Sequence, residues 1–249
     1  KLYQVMLTML LSLTIRIFMI HLHQLPKMPD QEYSYSPFCL KMELYLKVME
    51  LDYKNDYNLE FNKSPTGKMP YIETNGKKFA DSDLIIKFLE KDGAASIDHH
   101  LTSEQKSIST AFIRLCEDSL YWRLLYSRWS DRDNVNWKKI FISTSGLPSI
   151  MGGIVYPTAK RNVARQLGIH FSTLSKREVY SKANDDIEAI ADFLGTKRFL
   201  FNDKISLVDI VVFSFLTMLE NGSCGQKMAY ILNQNDFGFF IDNMKSKFL

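Results

Sequence analysis

The rhythm of apolar and polar positions changes twice along the chain. Residues 2–15 form its most apolar run, with Val5, Met6, Leu7, Met9, Leu10 and Leu11 in close succession; Arg16 interrupts it, and it resumes over residues 17–20. A membrane-crossing helix needs about 20 apolar residues free of charge. A signal peptide carries a small-residue cleavage site after its apolar core. Arg16 spoils both patterns, so residues 1–18 read equally as a hydrophobic leader or membrane anchor and as a structural extension.

From residue 19 the segments become short and punctuated. Ile20, Leu22 and Leu25 alternate with His21, His23 and Gln24 up to Pro26, the pattern of a half-buried strand. A loop follows to residue 36. Ser36 and Pro37 then supply an N-cap and a first-turn proline. Cys39, Met42, Leu46 and Met49 follow helical spacing, Leu40 and Leu44 give a second apolar edge, and Glu43 with Lys47 is expected as an i, i+4 pair on the wet side. Residues 53–59 read as a second strand. Asn75-Gly76 between residues 71–73 and 78–80 is the signature of a hairpin with a type I′ turn. Ser82 opens a helix expected to turn Leu84, Ile85, Phe88 and Leu89 inward. Strand, helix, strand, loop, hairpin and helix in that order predict a thioredoxin-like domain over residues 19–93.

Residues 93–100 read as a linker. Beyond it the signals are those of helices. Thr102 with Gln105, Ser175 with Glu178, and Ser206 with Asp209 are capping boxes, and Ile205 with Ile210 is placed for a hydrophobic staple at the third. A long helix is expected through Phe112, Leu115, Trp122 and Leu125. The predicted fold class is α/β plus all-α, with an all-helical C-terminal domain over residues 101–249.

Composition narrows the function. The 249 residues are 46% hydrophobic and 24% charged, as in ordinary globular proteins. A net charge of +3 is too small to argue for a nucleic-acid partner. Three cysteines cannot build a disulfide scaffold and point to a reducing, cytoplasmic setting. The five histidines fall in no metal-binding spacing, so no metal and no resident cofactor are expected.

Three clusters carry candidate chemistry. Ser36, at a helix N-terminus, could donate a hydrogen bond to a thiolate while the helix dipole stabilises the charge. An ordinary thiol, with a pKa of roughly 8.5, is only ~3% ionised at pH 7, and lowering that pKa by about two units makes most of it nucleophilic. Ser36 also serves as a plain helix cap. Gly67-Lys68-Met69-Pro70 precedes a strand, where a cis proline would turn the Met69 backbone outward to pair with an extended peptide; a trans proline ending a loop is the alternative. Asp81 and Ser82 begin a helix, where the hydroxyl and free amides suit a carboxylate and Asp81 suits an amine. Capping alone explains Ser82 equally well. Cys39 could belong to a redox pair lacking its first cysteine, but packing as a small hydrophobe fits better.

With these residues in view, the chain resembles the glutathione S-transferase superfamily over most of residues 19–249. The resemblance rests on Ser-Pro-Phe-Cys at 36–39, the run from Asn62 to Pro70, Asp81-Ser82, and the Ser206–Asp209 box. His-Gln-Leu-Pro-Lys at 23–27, residues 80–86, Glu117 to Trp122, Tyr126 to Trp129, and the stretch before Ser206 make it most like the failed-axon-connections and metaxin-like branch. The resemblance implies glutathione as co-substrate, held by Lys68, Met69, Pro70, Asp81 and Ser82, with Ser36 as the catalytic, thiol-activating residue. It implies a small hydrophobic electrophile against Trp122, Tyr126 and Trp129, and it admits a homodimer. Two departures stand out: residues 168–175 lack the Gly-x-Gly-Arg-like run expected of that branch, and residues 26–35 lengthen the approach to Ser36 and are placed to cover it. The alternative the resemblance implies is a non-catalytic, membrane-associated interaction protein held through residues 1–18.

Overall fold

The computed structural model describes residues 19–91, 95–146, 149–201 and 203–249. The expected leader or anchor, residues 1–18, lies outside them, as does part of the expected linker.

The alternation at the start produces strand β1 (Ile20–Gln24), whose Ile20, Leu22 and Gln24 point inward. Helix α1 (Pro37–Val48) begins with Ser36 in extended backbone, its Oγ accepting from the Cys39 amide at 3.4 Å, and Pro37 in the first turn. Strand β2 (Tyr53–Tyr57) lies parallel to β1, ending two residues before the expected point. β3 (Tyr71–Thr74) runs antiparallel to β1, and β4 (Lys77–Ala80) antiparallel to β3. Between them Asn75 and Gly76 both take positive φ, 53° and 67°, as the type I′ turn requires. The sheet order β2-β1-β3-β4 is the expected thioredoxin-like one. Helix α2 (Ser82–Lys91) follows. It buries Ile85, Ile86 and Leu89, but Leu84 is exposed, contrary to expectation: positions 85, 89 and 86 fall within about 100° of the helix circumference, and 84 lies about 160° from 86, so a helix buried on one side cannot cover both.

Helix α3 (Ser103–Arg114) starts at the Thr102–Gln105 box with both reciprocal bonds present. A π-helical turn over residues 115–120 joins it to α4 (Tyr121–Trp129), so the expected long helix forms with a bulge in its middle. α5 (Asn136–Thr144) and α6 (Ser149–Phe171) pack against each other. α7 (Lys176–Leu194) starts at the Ser175–Glu178 box and stops at Gly195, whose φ is positive. α8 (Leu207–Glu220) is buried along almost its whole length; α9 (Gly225–Asn233) and α10 (Gly238–Phe248) complete the bundle. α1 lies between the sheet and α8, so both of its edges are covered and one hydrophobic cluster runs through both parts of the molecule.

That sandwiching corrects one expectation. Glu43 is within ion-pair distance of Lys47, at 3.6 Å, yet its side chain is buried: it accepts from Gln24, Asn55 and Tyr57. A helix covered on two sides has no wet face for the pair to occupy.

Candidate functional site: a cleft between the sheet domain and the helical bundle

The N-termini of α1 and α2, the loop before β3, the π-turn, α4 and α6 surround a cleft of about 710 Å³. Ser36, Lys68, Met69, Pro70, Asp81 and Ser82 all line it, so the three sequence clusters meet on one surface. The Met69-Pro70 bond is cis. The apolar side of the cleft comes from Phe38, Phe61, Tyr121 and Trp122. Trp122 stacks on His170, ring centroids 3.7 Å apart, which fixes its plane.

Ser36 is nearly buried. Its Oγ accepts the Cys39 amide, leaving its proton as a donor, and the Phe38 amide of the same first turn has no intrahelical acceptor. Capping and donation are therefore compatible. At α2 the cap is Asp81 rather than Ser82. Asp81, with φ 73°, accepts from the amides of Asp83 and Leu84 at 3.1 and 3.2 Å. Ser82 is thereby freed from capping; its Oγ accepts from Lys41 Nζ at 3.1 Å and its proton is left to donate. Lys68 keeps an exposed side chain at the rim, while its carbonyl accepts from Ser64 Oγ at 2.6 Å.

Lys41 is the residue sequence reasoning missed. It lies on α1 with no exposed surface and donates to Asp83 Oδ1 at 2.5 Å and Glu117 Oε1 at 2.7 Å, as well as to Ser82. Arg114 approaches the same carboxylates at 3.4 and 3.9 Å. Burial raises the Asp83 carboxyl, but Lys41 and Arg114 outweigh it and hold Asp83 below the usual carboxylate range. Glu117 is more deeply buried; there desolvation outweighs Lys41 and lifts its carboxyl above the ordinary value. The π-turn brings Glu117 to this point, tying the helical bundle to the floor of the cleft. The signal available in the sequence was a lysine between the two apolar edges of a helix with no wet side.

Two expected lining residues fall elsewhere. Trp129 is buried in an aromatic cluster with Trp137, Phe141 and Tyr156. Tyr126 packs edge-on to Phe171 and Tyr180. At 100° and 1.5 Å per residue, positions 126 and 129 share the face of Trp122 but lie about 6 and about 10 Å further along α4, where α5, α6 and α7 rather than the cleft cover that face. The loop over 26–35 does not cover the cleft either: it closes on itself through a Lys27–Ser34 bridge and buries Met28, Tyr33 and Tyr35 in the core. Cys39 is fully buried, accepts from the Leu25 amide, and burial pushes its thiol up to about 11, which leaves no redox role for it.

Comparison with known proteins decides the family. The description "Glutathione S-transferase N-terminal domain" matches residues 37–134, and "Glutathione S-transferase, C-terminal domain" matches 183–236. Isoprene-epoxide–glutathione S-transferase of Rhodococcus sp. is 32% identical over 73% of this chain and 79% of its own length. The chain belongs to the glutathione S-transferase family. Failed axon connections of Drosophila melanogaster is a further member-like relative, 33% identical over 81% of this chain; the match spans only 50% of that longer protein. A mitochondrial outer membrane import complex protein, metaxin, of Arabidopsis thaliana is 24% identical over 86% of this chain and 68% of its own. The transferase fold is equally plain in three dimensions. Glutathione transferase GSTFuA3 of Phanerochaete chrysosporium superposes with a TM-score of 0.62 at 16% identity, over 92% of this chain and 97% of that one.

Proposed function

We propose that this glutathione S-transferase family member binds glutathione in the cleft and transfers its thiolate to small electrophiles. The observation that carries the reading is the meeting of Ser36, residues 68–70 and Asp81-Ser82 on one surface. Ser82 donates to the γ-glutamyl carboxylate and Asp81 accepts from the adjacent amine. The Met69 backbone pairs with the cysteinyl unit, and Lys68 at the rim attracts the far carboxylate. The Ser36 hydroxyl and the α1 dipole stabilise the thiolate. The electrophile lies against Phe38, Tyr121 and Trp122. Sulfur attacks its carbon, a carbon–sulfur bond forms, and the bond to the leaving atom breaks. In an epoxide that atom stays attached as an alkoxide and takes a proton from water. The Rhodococcus relative's name makes epoxides the first class to try.

Glutathione titration by calorimetry tests the binding half. Ser82→Ala is expected to weaken affinity by about tenfold or more, as loss of a hydrogen bond to a charged group does. Ser36→Ala is expected to leave affinity near wild type and to lower turnover of a model epoxide by about tenfold or more. No heat of binding at millimolar glutathione would end the reading.

The second reading is an interaction protein on a transferase scaffold. Failed axon connections and the metaxins favour it by likeness. It expects glutathione binding without turnover of any electrophile, and cellular function untouched by Ser36→Ala.

A further inference from the structure

From residue 134 to residue 177 the chain contains no Asp or Glu, although 28 occur in all, and it contains seven Lys or Arg. Those seven exceed the whole net charge of +3, so the rest of the molecule is net acidic. The stretch forms the α5–α6 pair. Among the described residues Lys138, Lys139, Lys160, Arg161 and Arg165 are exposed and none makes an ion pair.

The outer face of α6 sets apolar side chains among these cations. At 3.6 residues per turn, Met151, Ile154, Val155, Arg161, Arg165 and Ile169 fall within an arc of about 120° and extend over about 27 Å. They are exposed: Ile169 by 82%, Ile154 by 69% and Met151 by 51%. Residues 158 and 162, which share the arc, are Thr and Asn. The inner face is committed elsewhere, since Tyr156 stacks on Trp129, Leu167 is buried and Gly152 sits against Ile142. Exposed large apolar side chains interleaved with unpaired cations, and no acid, are the composition of a helix lying in a lipid interface.

We infer that the outer face of α6 docks on an anionic lipid bilayer, with its isoleucines and Met151 among the acyl chains and Arg161 and Arg165 at the headgroups. A second copy of this chain fits the face less well, because a two-fold contact would press the arginine stripe against itself. Nucleic acid would engage the cations but gain nothing from the isoleucines. The mode needs no spanning segment, and among the described residues no helix is long and apolar enough to cross a membrane.

The test is co-flotation of the full chain with phosphatidylcholine vesicles and with vesicles containing about a third phosphatidylserine, at roughly 0.1 M and 0.5 M salt. Binding to the anionic vesicles at the lower salt is expected to exceed binding to the neutral ones by tenfold or more, and to be lost at the higher. Each arginine contributes about fivefold, so Arg161→Gln with Arg165→Gln weakens binding about 25-fold. Ile154→Asn with Ile169→Asn weakens it about tenfold or more. All variants retain residues 1–18, so binding by that segment cannot produce these differences. Far-UV dichroism confirms that each variant is folded. Equal binding of variants and wild type, equal binding to both vesicle types, or no binding at all would overturn the inference. So would a dimer in sedimentation velocity that the isoleucine substitutions dissociate.

Discussion

Lys41 presents a wholly buried ammonium to Ser82, Asp83 and Glu117, so removing it strands the Glu117 carboxylate without its nearest cation. Breaking a buried pair on one side costs about 3–5 kcal/mol. Lys41→Met is expected to lower unfolding stability by that amount in urea titration. The double change Lys41→Met with Glu117→Leu, which removes both charges, is expected to recover a good part of it. A single variant as stable as wild type would mean that water or Arg114 already neutralises Glu117. The same lysine links stability to the site, since it donates to the Ser82 Oγ that lines the cleft.

The start of α8 concentrates a comparable burden in one carboxylate. Asp209 accepts from the amides of Leu200 and Ser206 and from Ser206 Oγ, all in a fully buried setting. Burial outweighs these bonds and raises its carboxyl to about 6 from an ordinary 3.8. Between those values the folded chain holds a proton that the unfolded chain has released, so this group's contribution falls as pH rises from about 4 to about 6. The loss is on the order of 3 kcal/mol. Urea titrations at intervals across that range should show wild type losing stability relative to Asp209→Asn, with a flat difference above; a difference growing with pH would refute the raised value. The three capping boxes and the Asn75-Gly76 turn were legible from sequence because each is a local bargain among three or four neighbouring residues. So was the convergence of Ser36, residues 68–70 and Asp81-Ser82, once the thioredoxin-like order placed the ends of α1 and α2 side by side. Leu84, Glu43, Tyr126 and Trp129 were misjudged for the opposite reason. Their surroundings are set by which faces α1, α2 and α4 present to distant elements, and periodicity gives a face without naming its partner. The π-turn that delivers Glu117 to Lys41 has no local signature at all.

The sheet and the bundle do not behave as separable bodies. α1 packs on α8, Lys41 reaches Glu117, and Arg128 of α4 donates to the Tyr35 carbonyl and to Ser223. All three tryptophans lie at or beyond residue 122, whereas the strands lie before residue 81. Tryptophan fluorescence therefore reports on the bundle, and far-UV dichroism reports on the whole chain. The two probes are expected to give coincident urea transitions, the signature of one cooperative unit. Fluorescence changing at a distinctly different midpoint would show that the shared core does not couple the halves.

The placement of sulfur in the molecule bears on its survival. Cys39, Cys116 and Cys224 are all buried, and desolvation keeps each thiol protonated. Iodoacetamide should therefore label none of them in the native protein within minutes and all three in urea, as read by intact mass. In the proposed transfer reaction the electrophile would thus meet no thiol of the protein's own at the surface, only the sulfur of the bound tripeptide, so conjugation would not compete with alkylation of the protein's cysteines.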